Sequence, residues 1–214
     1  MRSMGMKRTV EPKVLYFGTP VVLVSTRNPD GSTNLAPMSS AWWLGYYAML
    51  GMGTSSQTVK NLVDRPEVVL NLVDPAMVAA LDRIALLTGS EEMSDSKRAR
   101  GYRFEPDKFA AAGLTRTAGA VTGLDMVEES PITLEGRIEA IHPIGGPSEH
   151  LCALSMKVEQ VQVRDDLLMS NDRYIDPLRW DPLIMKFTEY FAGGAPAYES
   201  SLARGWQMPP LNVG

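Results

Sequence analysis

The sequence is poor in the residues that most often advertise chemistry. Cys152 is the one cysteine among 214 residues, and His142 and His150 are the two histidines. No intrachain disulfide can form, and CxxC redox chemistry and cysteine-rich zinc sites are excluded with it. Cys152 sits in the apolar run Leu151-Cys152-Ala153-Leu154 and reads as a small buried hydrophobe. The carboxylates Glu91-Glu92 and Asp165-Asp166 lack the histidine partners and spacing of a metal site, so no metal is expected. Long hydrophobic runs are lacking too. The apolar stretch from Ala41 to Gly53, interrupted by Gly45 and Gly51, falls short of the roughly 18 residues that a membrane helix needs. The basic start, Met1 to Arg8, has no apolar signal-peptide core, which leads to the expectation of a cytoplasmic protein and no membrane. Positive charge is not in excess: Lys plus Arg is 21 against 25 for Asp plus Glu, a formal charge of −4. That balance argues against a nucleic-acid partner. No GxGxxG follows the first apolar strand, so a Rossmann nucleotide site has no support.

What is present reads mainly as strand. Val21 to Thr26 is β-branched and apolar, and Asn28-Pro29-Asp30-Gly31 turns it toward a second strand, Thr33 to Met38. Tyr46 to Met52 and Glu67 to Val73 follow as strands. Between them Thr54 to Asp64 has helical spacing at Val59, Leu62 and Val63, with Ser55 or Ser56 as N-cap. Ala76 to Leu87 is a second amphipathic helix, and Thr88 to Gly113 is a charged excursion ending in a helix over Glu105 to Ala112. Pro131 to Ile141 and Leu151 to Val163 are two more strands, joined by a loop from His142 to His150. Strands dominate and helices are short insertions, as in a β-barrel-like domain. We expect a single domain over 1–214, with a core over about 15–170 and a C-terminal arm over 171–214.

No charge occurs from Gly31 to Val59. Within that stretch, hydroxyls gather in two places: Asn34-Leu35-Ala36-Pro37-Met38-Ser39-Ser40-Ala41, beside Trp42 and Trp43, and Thr54-Ser55-Ser56-Gln57-Thr58 at a helix start. Such groups are either helix caps or donors to a phosphate, and the tryptophans are either core and interface or ring-stacking residues. Lys60 stands in the first turn. The basic run Lys97 to Arg103 either faces solvent or neutralises an anionic substrate or the phosphates of a nicotinamide cofactor.

The order Thr19 to Thr26, Asp30-Gly31, Asn34 to Ser40, Ser55 to Leu62 and Val69 to Leu72 resembles the flavin reductase-like, FMN-binding split-barrel family. The resemblance is close over residues 15 to 75 and looser through Gly136 to Asp166. It implies a split β-barrel of Greek-key type with short helical insertions and a C-terminal arm. It implies FMN as cofactor, with Asn34, Ala36, Met38, Ser39, Ser40 and Ala41 along the ring and ribityl chain. Ser55, Ser56, Gln57 and Thr58 then meet the phosphate, with Lys60 near. His150 is the candidate for contact with nicotinamide or substrate, the other reading being a structural loop histidine. The implied protein is a homodimer whose flavin passes a hydride from NADH or NADPH to free flavin or another small-molecule acceptor. The alternative is a flavin-binding or electron-transfer protein without catalysis. No catalytic side chain is assigned, since the flavin performs the transfer.

Overall fold

The computed structural model describes residues 6–146, 148–169 and 173–194. Among these, the strands are β1 (Phe17–Pro20), β2 (Val22–Arg27), β3 (Thr33–Met38), β4 (Ala41–Leu44), β5 (Tyr47–Gly53), β6 (Glu67–Leu72), β7 (Leu87–Thr88), β8 (Arg103–Phe104), β9 (Arg116–Ala118), β10 (Asp125–Val127), β11 (Ile132–Ile144), β12 (Leu151–Val163), β13 (Ile184–Lys186) and β14 (Glu189–Phe191). The helices are α1 (Gln57–Asp64), α2 (Val78–Ile84), α3 (Asp95–Ala99) and α4 (Lys108–Ala112).

Seven strands form the main sheet in the order β3-β2-β6-β11-β12-β5-β4, each pair antiparallel. Its two edges, β3 and β4, are joined by Ser39 and Ser40 alone. Three Cα steps from Met38 to Ala41 reach about 11 Å at most, whereas six strand spacings in a flat sheet span about 29 Å. The sheet must therefore roll up until its edges meet. It is a barrel, and β3 and β4 do not pair across the seam. The mainly β, split-barrel architecture expected from the sequence is what the chain forms.

Alternation along β2 explains its unbroken apolar character. Val22 and Val24 point into the barrel core with Leu50, Leu70, Leu154 and Met156. Val21 and Leu23 point outward, into a second core with Leu81, Ile84 and Phe109 from α2 and α4. Both faces are buried, so no polar period appears.

Several boundaries differ from expectation. The helix after β5 keeps its expected cap, since Ser56 is extended and its hydroxyl accepts from Val59 N–H, so that α1 begins at Gln57. A 3-10 turn, Pro75–Met77, precedes α2, which ends at Ile84. Helix α4 opens at Lys108 behind the Asp107 N-cap. His142 belongs to strand β11, not to a loop, and pairs with Ala153. β6 accompanies β11 only from Ile132 to Arg137, so Pro143 lies where β11 has no second neighbour in the main sheet and its missing N–H costs nothing. The C-terminal segment is built into the body as far as residue 194: β13 pairs β1, and Leu183 is buried in the second core. The remainder of the expected arm lies outside the described residues.

Candidate functional site

Polar side chains converge where β2, β3, α1 and α4 meet. Thr26 and Asn34 are cross-strand partners on one face of the β2–β3 hairpin. Asn34 is 2% exposed. Its Nδ2 donates to Thr26 Oγ1 and to Thr58 Oγ1, both at 3.3 Å. Its Oδ1 accepts from Lys108 Nζ at 2.8 Å. Asn61, one turn beyond Thr58, donates to Thr26 Oγ1 at 3.0 Å and to Asn28 Oδ1 at 2.9 Å. Gln57 Nε2 in turn donates to Asn61 Oδ1 at 2.8 Å. Gly89 runs so close that a Cβ there would overlap Asn34 Oδ1.

The hydroxyls in this network serve as acceptors. Thr58 Oγ1 accepts from Asn34, and Ser56 Oγ accepts from Val59 N–H at 3.2 Å. A hydroxyl used this way keeps its own proton to give, which suits an anionic ligand.

Lys108 is the unusual member. It is 3% exposed, and its ammonium is held by two neutral oxygens, Asn34 Oδ1 and the Leu35 carbonyl, each at 2.8 Å. None of the ion pairs among the described residues includes it. Burial, reinforced by the charge of Lys97 and opposed by Glu105, brings its pKa down to about 8. A buried cation with a spare N–H and no paired carboxylate is costly unless an anion joins it.

The expected residues divide accordingly. Asn34 and Thr58 are directly bonded, and Gln57 joins them through Asn61 and Thr26. Ser56 is the helix cap; Ser55 and Lys60 are exposed. The Ser39–Ser40 link crosses the barrel seam, with Ser40 Oγ 3.0 Å from Tyr16 OH. Ala36 and Met38 are half-buried, Met38 against the barrel core. Ala41 lies within that core. His150, exposed and at a left-handed φ of 52°, offers its carbonyl to Thr54 N–H at 2.9 Å. The structure thus ties the His150 loop to the serine-rich turn.

Sequence reasoning passed over Thr26, Asn28, Gly89 and Lys108. A lysine at the start of a short helix in a charged excursion gives no sign that it folds inward. Its one clue is its place beside the buried Phe109.

The flavin reductase-like domain profile matches residues 14–192. The chain belongs to the flavin reductase-like family. That membership brings flavin binding and flavin-related oxidoreductase chemistry with it. An uncharacterized protein of Bacillus subtilis, YdfE, is 30% identical over 187 residues, which span 87% of this chain and 89% of that one. Among solved structures, flavoredoxin of Desulfovibrio vulgaris superposes with a TM-score of 0.73 at 24% identity, covering 93% of this chain and 100% of the other. Nitrilotriacetate monooxygenase component B of Bacillus cereus gives 0.72 at 18% identity, with 92% and 100% covered. At these identities the two structures bear on the fold.

Proposed function

We propose that this flavin reductase-like protein binds FMN and uses it to carry a hydride from NADH or NADPH to free flavin or another small-molecule acceptor. The observation that carries the FMN reading is Lys108, a buried ammonium bonded to Asn34 and Leu35 without a carboxylate partner. A phosphate monoester brings close to two negative charges and three acceptor oxygens at neutral pH. Lys108, the free protons of Thr58 and Ser56, and the first-turn N–H groups of α1 supply the matching donors. The apolar residues beside them, Met38 and Ala36, suit the walls of a flat ring.

When bound, the flavin supplies the atom that accepts hydride. The chain's own part is to hold and orient. Asn34 fixes the Lys108 ammonium and the Thr58 hydroxyl at once, so one amide aligns two donors. Gly89 closes over that amide without a side chain. His150 is the residue we propose to meet the nicotinamide or acceptor, and its backbone bond to Thr54 keeps its loop beside the serine-rich turn.

We also propose a homodimer. Trp42 and Leu44 on the edge strand β4 are 56% and 74% exposed, and Tyr46 and Tyr47 in the same hairpin are exposed too. The Trp43 Nε1–H is buried without an acceptor. A charge-free aromatic edge of this kind suits the core of an interface, where charge is depleted. A buried thiol at Cys152 suits a reducing, cytoplasmic setting.

The test is the absorbance spectrum of the purified protein before and after anaerobic NADH or NADPH. A flavin band that bleaches supports the proposal. A band that persists under both donors points to a carrier. A colourless protein that also fails to bind added FMN overturns the cofactor.

A further inference from the structure

Five arginines, Arg65, Arg116, Arg137, Arg164 and Arg179, make ion pairs with carboxylates. The densest basic segment does not. Lys97, Arg98, Arg100 and Arg103 form no ion pair among the described residues, although Glu91, Glu92 and Asp95 precede them closely in the chain. The cations are also organised. Lys97 Nζ and Arg100 Cζ stand 5.8 and 5.9 Å from the ring centroid of Tyr102. Arg100 Nε is bonded to the Ser96 carbonyl at 3.0 Å.

The fold carries this segment to the rim of the site. β7 pairs parallel with β8, setting Leu87 beside Arg103 and Thr88 beside Phe104. The next residue after β7 is Gly89, which packs on Asn34. Phe104 and Gly89 line one cleft with Gln57, Asn28 and Pro106, about 270 Å³ in volume. The field of Lys97 is felt at Lys108, where it lowers the ammonium pKa.

We propose that Lys97, Arg98, Arg100 and Arg103 read the adenosine 2′-phosphate of a nicotinamide donor, so that the protein prefers NADPH to NADH. This rests on the hydride-donor reading above. A reduced dinucleotide with only its pyrophosphate carries about two negative charges, and a 2′-phosphate adds nearly two more. Four unpaired cations exceed the need of the first ligand and match the second. Guanidinium forks suit phosphate oxygens, and the Tyr102 ring holds Lys97 and Arg100 within one patch.

The test compares 2′,5′-ADP with 5′-AMP by calorimetry at low salt, on wild type and on the surface variant K97Q/R98Q/R103Q. Wild type is expected to bind 2′,5′-ADP about tenfold more tightly or better, and the variant to bind the two alike. At pH 7, where Lys108 stays largely protonated with or without the charge of Lys97, FMN affinity is expected to be equal in both proteins. Equal binding of the two nucleotides by wild type overturns the proposal, as does a variant that keeps the preference. A variant that loses FMN affinity overturns it too, since the cations then hold the flavin's own phosphate. If wild type discriminates but NADPH leaves the flavin band unchanged, the phosphate patch stands and the donor reading fails.

Discussion

Lys108 Nζ and Asn34 Oδ1, 74 residues apart in the chain, meet at 2.8 Å in the interior. The contact joins α4 to β3, and through Asn34 it reaches α1. Removing the charge should therefore touch ligand binding before it touches the fold. K108M is expected to weaken FMN binding by about 2–3 kcal/mol, the usual loss when a charge-assisted contact to phosphate is removed. Quenching of flavin fluorescence measures it, and unchanged affinity would remove Lys108 from the site.

The same lysine should make binding depend on pH. Its pKa of about 8 means that the ammonium is lost as pH rises through that value. FMN affinity should fall from pH 7 to 9 in wild type and stay flat across that window in K108M. The stability of the ligand-free protein should move the other way. Between about 8 and the ordinary 10.5 the unfolded chain holds a proton that the folded chain has given up, so stability rises with pH there. The shift corresponds to about 3 kcal/mol in total. Urea melts of wild type and K108M between pH 7 and 10.5 would reveal it.

A methyl group at position 89 has no room while Asn34 keeps its place. G89A should push the amide away from Lys108 and Thr58, lowering FMN affinity at a stability cost of about 1–3 kcal/mol. A variant that binds FMN like wild type would show that the amide position is irrelevant to the ligand.

Glu135 is wholly buried on β11. It accepts N–H bonds from Ala120, Val121 and Thr122 and a bond from the Thr122 hydroxyl. Burial opposes its ionisation, but those donors outweigh burial and hold its pKa below the usual carboxylate value. Its stabilisation is present above the unfolded-state value near 4.5 and is lost as pH falls through the lower folded one. E135Q is expected to cost about 2–3 kcal/mol at pH 7. An acid melt in which wild type and variant converge at low pH would confirm the cause.

Leu44 is the most exposed apolar residue of the β4–β5 hairpin. L44D should leave the barrel folded and yield a monomer by light scattering. A wild-type monomer would end the dimer proposal.

The parts of this fold that the sequence made legible are those with a local cause. Strand β3 lies over Thr33 to Met38 as its composition and preceding turn suggest. Ser56 announces the start of α1 through its cap. What escaped has causes at a distance. β4 was hidden because Ala41–Leu44 runs into the next apolar strand with only Gly45 and Tyr46 between them. β13 and β14 are three residues each and exist because β1 offers β13 an edge and β13 in turn offers one to β14. Lys108 points inward because Asn34 and Leu35, far away in the chain, present their oxygens to it. In the site, Asn34 and Thr58 were legible by residue type and order, whereas the cation between the elements was not.

The two-residue passage from Met38 to Ala41 also governs how the chain can assemble. β3 and β4 are covalent neighbours yet opposite ends of the hydrogen-bonded ladder. Two hairpins, β2–β3 and β4–β5, can form early and locally, and β11–β12 can form later between them. The ladder is complete only when β6 and β5 each find that last hairpin, about 65 to 110 residues away along the chain. Such a search predicts slow, cooperative folding in milliseconds to seconds.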